Sequence, residues 1–597
     1  MSYRSIVAVC AVLVSMAAVV TGCTLSSDGP LPAAQTFLSD LAENDTDAAA
    51  QATDQPAAAK TAMAQSWSGL QAESLRASTG SVRVIGDTAT VDYTYEWHLP
   101  KDRVWRYDGQ LQMGRRNGGW IVRWTPTDLH PKLGGAQHMV LHSIPAPRAR
   151  VNEHSGTDVL VPGVVHRIHL DAKQAGDIVK VATQLAAVLA PFDPTLTPQS
   201  IAESATSVKG SYVVATLSED QFDQVQSRVV TLPGVSATDE ADLVNTDPNF
   251  APALVNQVKK TVADEVDGKA GWSVVTVNSN GAETDVLTET DPQPSPSFSI
   301  SLDRSIQNAA QAAVDRRQEQ AMMVVVQPST GAILAIAQNK AADKEGSLAT
   351  TGLYPPGSTF KMITAGAAIS SGLATPATTV PCPGHIVIGE RTIPNYDEFA
   401  LGNVSMATAF ARSCNTSFAK LASEMKPDAL TIAASQYGIG ANYHIDGLTA
   451  DTGSVPVATD TTERTEDGFG QGKDLVTPFG MALAAATIAH GSTPVPFLIV
   501  GHDTKVDGDH RPISKAMVDG LRPMMRLVVT DGTGARIADQ GQVYGKTGEA
   551  EFPGGSHAWF VGYRGDIAFA TLVVNGGSSD NAVAVTRDMF TALPDGY

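Results

Sequence analysis

Three short strings, far apart in the chain, hold residue types that together can run acyl transfer through a serine. They are Ser358-Thr359-Phe360-Lys361, Ser413-Cys414-Asn415 and Lys546-Thr547-Gly548, which read in order as S-x-x-K, S-x-N and K-T-G. The first pattern alone says little, because S-x-x-K also begins at Ser417 and Ser423. Only Ser358 is followed by an S-x-N, 55 residues on, and then by a K-T-G, 188 residues on. Taken singly, such residues are mostly helix caps and solvated charges. The ordered triple is what points to chemistry.

A serine hydroxyl is a weak nucleophile until a base takes its proton. Lys361, three residues on, shares a helix face with Ser358. A lysine desolvated among apolar side chains and crowded by a second cation can be neutral enough to act as that base. Lys546 is the expected second cation. Pro355-Pro356-Gly357 predicts a rigid turn, and Met362, Ile363 and Ala367 an apolar helix that stops near Gly372. A serine at such a helix start lies beside free N–H groups and the positive dipole end. Ser413 can relay a proton to a leaving amine, and Asn415 can hydrogen-bond a substrate amide. Lys546 and Thr547 can bind a carboxylate, and Gly548 is expected to let substrate backbone approach closely.

These groups need a helix start facing a strand edge, and residues 298–597 supply both. Asp303 to Arg316 reads as a helix; Met322 to Gln327 and Ala332 to Ala337 read as strands joined across Pro328-Ser329-Thr330-Gly331. Val543 to Gly548, His557 to Tyr563 and Ile567 to Asn575 read as three more, with a turn at Arg564-Gly565-Asp566. The expected domain is a five-stranded antiparallel sheet with a helical insert. Upstream, residues 31–135 read as a small α+β module. An Ala-rich helical stretch precedes strands in which Ala89, Val91, Tyr93, Tyr95 and Trp97 alternate with polar residues. Asn117-Gly118 predicts a hairpin turn there, and the aromatic face is read as core. Residues 147–290 carry two helical runs by pattern, Ala175 to Leu189 and Glu219 to Val229, and no catalytic constellation. Pro292, Pro294 and Pro296 mark a linker. The fold class is multidomain α+β.

The formal net charge of −20, with no basic run, excludes nucleic-acid binding. Neither H-E-x-x-H nor C-x-x-C occurs, so no metal and no other cofactor is expected. The first residues read as a leader: Arg4, then an apolar run from Ile6 to Val20, then Val20-Thr21-Gly22-Cys23. The run falls short of the ~20 residues a spanning helix prefers. Cys10 lies within the leader and Cys23 at its end. Cys382 and Cys414 remain, either as a disulfide or as two unlinked buried thiols.

With Tyr354 to Lys361 (YPPGSTFK), Gly468 to Pro478 (GFGQGKDLVTP) and His557 to Tyr563 (HAWFVGY), the triple resembles the class B penicillin-binding proteins, more closely the bacterial penicillin-binding lipoproteins. Residues 31–135 are similar to the nuclear-transport-factor-like domain of MecA-type members, and 147–290 resemble more loosely their dimerisation or pedestal domain. The resemblance implies a serine β-lactamase/transpeptidase-like domain over 298–597. It implies D,D-transpeptidation of peptidoglycan stem peptides ending in D-Ala-D-Ala, and acylation of Ser358 by β-lactam antibiotics. It implies an oxyanion hole made by the backbone amides of Ser358 and Glu549. It also implies a lipobox, so that residues 1–22 are a signal peptide, Cys23 carries lipid, and 23–30 tether the protein to the extracytoplasmic face of the cell membrane. Cell-wall synthesis partners follow from the same resemblance.

A D,D-carboxypeptidase or endopeptidase, a serine β-lactamase, and a non-catalytic β-lactam sensor or scaffold share this fold. A β-lactamase must hydrolyse its acyl-enzyme, yet no E-x-x-x-N string accompanies Glu463 and Glu466 before the K-T-G. A sensor couples to spanning helices, and no later segment is long and apolar enough to be one. One departure from the family is plain: Glu549 stands where a Thr usually follows K-T-G. The backbone donor survives, but the hydroxyl contact to a substrate carboxylate is lost and a like charge takes its place. Stopped-flow acylation should therefore be faster in Glu549→Thr than in the natural chain; an equal or slower rate in the variant refutes the repulsion.

Overall fold

The computed structural model describes residues 29–508 and 511–597; the leader, Cys23 and nearly all of the tether lie outside them. Two compact units are present. One combines residues up to Ala146 with Lys269–Gln293, and the other combines Pro147–Gly268 with Pro294–Tyr597.

In the first unit, helices Pro30–Ala42, Thr46–Gln51 and Pro56–Leu70 accompany a four-stranded antiparallel sheet of Ser74–Ile85, Thr88–Leu99, Arg103–Arg116 and Gly119–Val122. Along Thr88–Leu99 every second residue is buried, so Val91, Tyr93, Tyr95 and Trp97 share the core face. Trp97 meets Trp67 of the third helix edge-on, with ring centroids 5.1 Å apart. Asn117 and Gly118 both take positive φ, 52° and 85°, which suits a two-residue hairpin loop. Strand Gln137–Ile144 pairs with Gly271–Asn278, which pairs in turn with Glu283–Thr290. This hairpin lies within the 147–290 stretch that the sequence sets apart as a middle region, yet it joins the N-terminal unit, and buried Val274 enters its aromatic core. Backbone pairing between segments so far apart leaves no local trace in the sequence.

In the second unit, Asp158–Asp171 pairs with Val151–Asn152, Ser211–Ser218 and Val235–Asn245. Helices Ile178–Leu189 and Glu219–Val229, capped by Asp177 and Ser218, help close this core. Phe298–Ser299 adds to it in parallel beside Val151–Asn152.

The rest of this unit is built on five strands, β1 Ala321–Val326, β2 Ile333–Gln338, β3 Val543–Phe552, β4 Gly555–Arg564 and β5 Ile567–Val573. All neighbours are antiparallel, in the order β2-β1-β5-β4-β3, so β3 is an edge. The main helices are α1 Arg304–Val314, α2 Lys361–Ser370, α3 Asn415–Ser423, α4 Pro478–His490, α5 Lys515–Asp531 and α6 Asp580–Ala592. Alternate residues of β1 enter two cores. Met322 and Val324 face the core that contains α4, and Met323 and Val325 face the one that contains α1 and α6. This sandwiching explains why β1 is an unbroken apolar run. Helix α2 is buried on all sides from Lys361 to Ala368, as its all-round apolar sequence requires.

The turn before α2 is pinned from two directions. Gly357 N–H donates to Gly470 O at 3.0 Å, and Tyr354 and Val476 exchange two backbone bonds of 2.9 Å. From β4, Trp559 Nε1–H donates to Pro355 O at 3.0 Å. Gly470 has φ +79°, and a Cβ there would lie 2.0 Å from Gly357 O. Gly470→Ala should therefore destabilise the domain by about 3 kcal/mol and displace Ser358. Thermal unfolding and acylation rate measure this; a variant that matches the natural chain in both shows that the turn is not held this way.

Candidate active site

Ser358 lies in a 3-10 turn, Gly357–Phe360, that runs directly into α2. Lys361 has no exposed surface. Its Nζ lies 2.8 Å from Ser358 Oγ, 2.6 Å from Asn415 Oδ1, 2.9 Å from Ser413 O and 3.3 Å from Ser413 Oγ. An ammonium has three protons for these four acceptors, so the longest contact is the least served. As a neutral amine, Lys361 can instead accept the Ser358 proton across the same 2.8 Å. Lys546, also fully buried, donates to Ser413 Oγ at 3.0 Å and to Thr547 O at 2.8 Å. Burial first, and then the Lys546 charge, hold the Lys361 ammonium well below the usual lysine range. Burial pushes Lys546 down to about 7. The rings of Phe418 and Phe410 stand 5.9 and 5.7 Å from the two Nζ atoms and offer partial compensation for a charge.

Ser413 ends helix Met406–Ala411 in the left-handed conformation, φ +60°, and so turns both its carbonyl and its hydroxyl toward the lysines. Cys414 next to it is joined to Cys382 in a disulfide. Buried Asn395 donates to Pro383 O and Phe399 O, each at 2.8 Å, and its Oδ1 accepts from Thr416 N–H at 3.1 Å. The S-x-N turn is thereby tied to the 395–401 loop.

On β3, Thr547, Glu549 and Glu551 alternate onto the face that lines a cavity of about 560 Å³. Ser358, Ser413 and Asn415 line the same cavity, and Tyr396, Phe399 and Leu401 form its apolar side. The Thr547 hydroxyl is bonded to that of Thr533. Glu549 Oε1 accepts from Ser556 Oγ–H at 2.8 Å, and Glu549 O accepts from Gln471 Nε2–H at 3.3 Å. Gly548 has a packing role that its sequence does not show. A Cβ there would lie 2.7 Å from Thr359 Cγ2 and 3.0 Å from Pro356 O, so its bareness lets β3 press against the Ser358 turn.

All of the sequence-predicted residues except Cys23 therefore meet around one cavity or directly behind it. Sequence reasoning missed Tyr396, Phe399, Leu401, Arg412, Thr533 and Glu551. Glu551 was findable, since period-two alternation from Thr547 puts it on the same face; the others arrive only through tertiary folding. Among the described residues, no group of three or more His, Cys, Asp or Glu is placed to hold a metal. None of their helices is long and apolar enough to cross a membrane.

Residues 321–592 match the penicillin binding protein transpeptidase domain, and 29–137 the NTF2-like N-terminal transpeptidase domain. The chain belongs to the class B penicillin-binding proteins. It is similar to "Peptidoglycan D,D-transpeptidase PbpA" of Mycobacterium tuberculosis, 28% identical over 318 residues, covering 42% of this chain and 62% of that one. It is also similar to "Peptidoglycan D,D-transpeptidase MrdA" of Acinetobacter baumannii, 26% identical over 398 residues, covering 56% and 59%. The chain thus spans about three fifths of the length of these curated relatives. Among solved structures, it shares the fold of the penicillin-binding protein in a complex of PBP2 and MreC from Helicobacter pylori. There the TM-score is 0.58 at 16% identity, over 76% of this chain and 98% of that one.

Lys361 can take a proton from Ser358 only as a neutral amine, and its neutral fraction grows as pH rises through the lowered pKa. Acylation should climb with pH along a limb centred well below the ordinary lysine value of 10.5. Lys546→Met removes one cause of the lowering and should move that limb to higher pH. Acylation rates measured from about pH 5 to 10 test this; an unmoved limb refutes the coupling.

Proposed function

We propose that the protein is a peptidoglycan D,D-transpeptidase that works through an acyl-enzyme on Ser358. The observation that carries this reading is the buried Lys361 Nζ, 2.8 Å from Ser358 Oγ and in the same network as Ser413, Asn415 and Lys546. Neutral Lys361 takes the Ser358 proton as Oγ attacks the carbonyl between the two terminal D-Ala residues of a donor stem peptide. The backbone amides of Ser358 and Glu549 receive the oxyanion, while Lys546 and Thr547 hold the terminal carboxylate. The proton passes by way of Ser413 to the departing D-Ala amine. The amine of a second stem peptide then attacks the acyl-enzyme, the proton path runs in reverse, and a crosslink forms. A β-lactam enters by the same route, its ring C–N bond opening as Ser358 is acylated.

The names of the relatives, D,D-transpeptidases from mycobacteria and Acinetobacter, support this reading. We place the mature protein at the outer face of the cell membrane through lipid on Cys23, on the strength of the Val20-Thr21-Gly22-Cys23 string. Partners in cell-wall synthesis fit the company kept by its structural neighbours, one solved with MreC and another in "a peptidoglycan synthase complex".

Fluorescent penicillin followed by intact-mass measurement tests the proposal. A persistent adduct on Ser358, absent in Ser358→Ala, together with an amide-crosslinked product from a D-Ala-D-Ala donor and an amine acceptor, is expected. Rapid β-lactam turnover without a persistent adduct makes it a β-lactamase, and no adduct leaves a scaffold; either overturns the reading.

A further inference from the structure

We propose that Glu549 and Glu551 select acyl donors by charge, favouring a peptide that carries an ammonium on the residue before D-Ala-D-Ala and disfavouring one with a carboxylate there. The inference rests on Ser358 being the acylated nucleophile.

The alternation of β3 places Thr547, Glu549 and Glu551 on the cavity face, with the two carboxylates about 7 and 14 Å along the strand from Thr547. Glu549 sits beside the nucleophile, since a Cβ on the adjacent Gly357 would lie 2.5 Å from Glu549 O. Travelling from Thr547 to Glu551 therefore passes from the carboxylate-binding end, past Ser358, to the upstream part of a donor laid along the strand edge. A peptide lying in that direction brings its upstream side chain to Glu551 and its reacting carbonyl to Glu549.

Among the described residues, neither Glu549 nor Glu551 is paired with a cation. Glu549 is half-buried and is held by the Ser556 hydroxyl, a neutral donor, at 2.8 Å. Arg412, the cation that lines the cavity, is paired with Asp531 at 3.0 Å. Lys361 and Lys546 are both turned to Ser413. Across the cavity, Tyr396, Phe399 and Leu401 offer an apolar wall. That wall can take the aliphatic stem of a long cationic side chain while the carboxylates take its head. A partly shielded ion pair of this kind is stronger than one on an open surface. A donor bearing a second carboxylate meets the same field as repulsion.

The test is the slowing of fluorescent-penicillin labelling of Ser358 by three matched competitors that differ in the residue before D-Ala-D-Ala: lysine, norleucine or glutamate. Protection should follow the order lysine, norleucine, glutamate, with lysine and glutamate about tenfold or more apart at low salt. The gap should shrink as salt screens the exposed part of the cavity, and should narrow in Glu549→Gln and in Glu551→Gln. Charge-blind protection, or no protection by any of the three while penicillin still labels Ser358, overturns charge selection alone. Failure of penicillin itself to label Ser358 overturns the acyl-enzyme reading beneath it. The salt series on the natural chain needs no variant, so a misfolded substitution cannot mask the answer.

Discussion

Lys361 has no exposed surface and yet ends 2.8 Å from the Ser358 hydroxyl, and the surrounding structure is shaped by what that burial demands. An ammonium moved out of water is costly unless it is paired, solvated by dipoles or deprotonated. Here the dipoles come from Ser413 and Asn415, whose turn is held in a left-handed conformation that few residue types adopt readily. A second buried lysine, Lys546, meets the same serine hydroxyl, so a proton on either amine opposes one on the other. The result is an amine that gives up its proton more readily than an ordinary lysine.

Such a site works only if its three segments keep their spacing to a fraction of an ångström. Each is fastened by a different device. The Ser358 turn is hydrogen-bonded to the Gly470 loop and to Trp559. The S-x-N turn is tied by the Cys382–Cys414 disulfide and by the buried amide of Asn395. The K-T-G strand is an edge of a five-stranded sheet whose inner strands are buried on both faces. Bare glycines at Gly357, Gly470 and Gly548 let these pieces touch backbone to backbone.

The two ends of the cavity differ in charge. Two buried lysines lie behind Ser358 and Ser413, with their ammonium forms disfavoured by burial, while Glu549 and Glu551 line the cavity from one strand, β3. A β-strand is well suited to such an arrangement, because residues two apart share a face while backbone spacing keeps their charges apart. The replacement of the usual Thr by Glu549 therefore changes the field at the mouth while leaving the backbone path, and the lysine pair, as they are.

Much was legible in the sequence because it is written locally. The S-x-x-K spacing puts serine and lysine on one helical face, period-two patterning marks β3 to β5, and Asn117-Gly118 and Gly565-Asp566 mark hairpins whose loops need positive φ. Family membership, the fold class and the three motifs that meet at the site could be read from such strings. The partner strand of Gln137–Ile144, the apolar wall of Tyr396, Phe399 and Leu401, and the packing role of Gly548 could not. Each depends on which distant segments come into contact, and on the space left between them. The sequence by itself determined which chemistry the chain can attempt; tertiary structure decided how far its lysines are desolvated and what charge and shape the cavity presents, since both arise from neighbours that are remote along the chain.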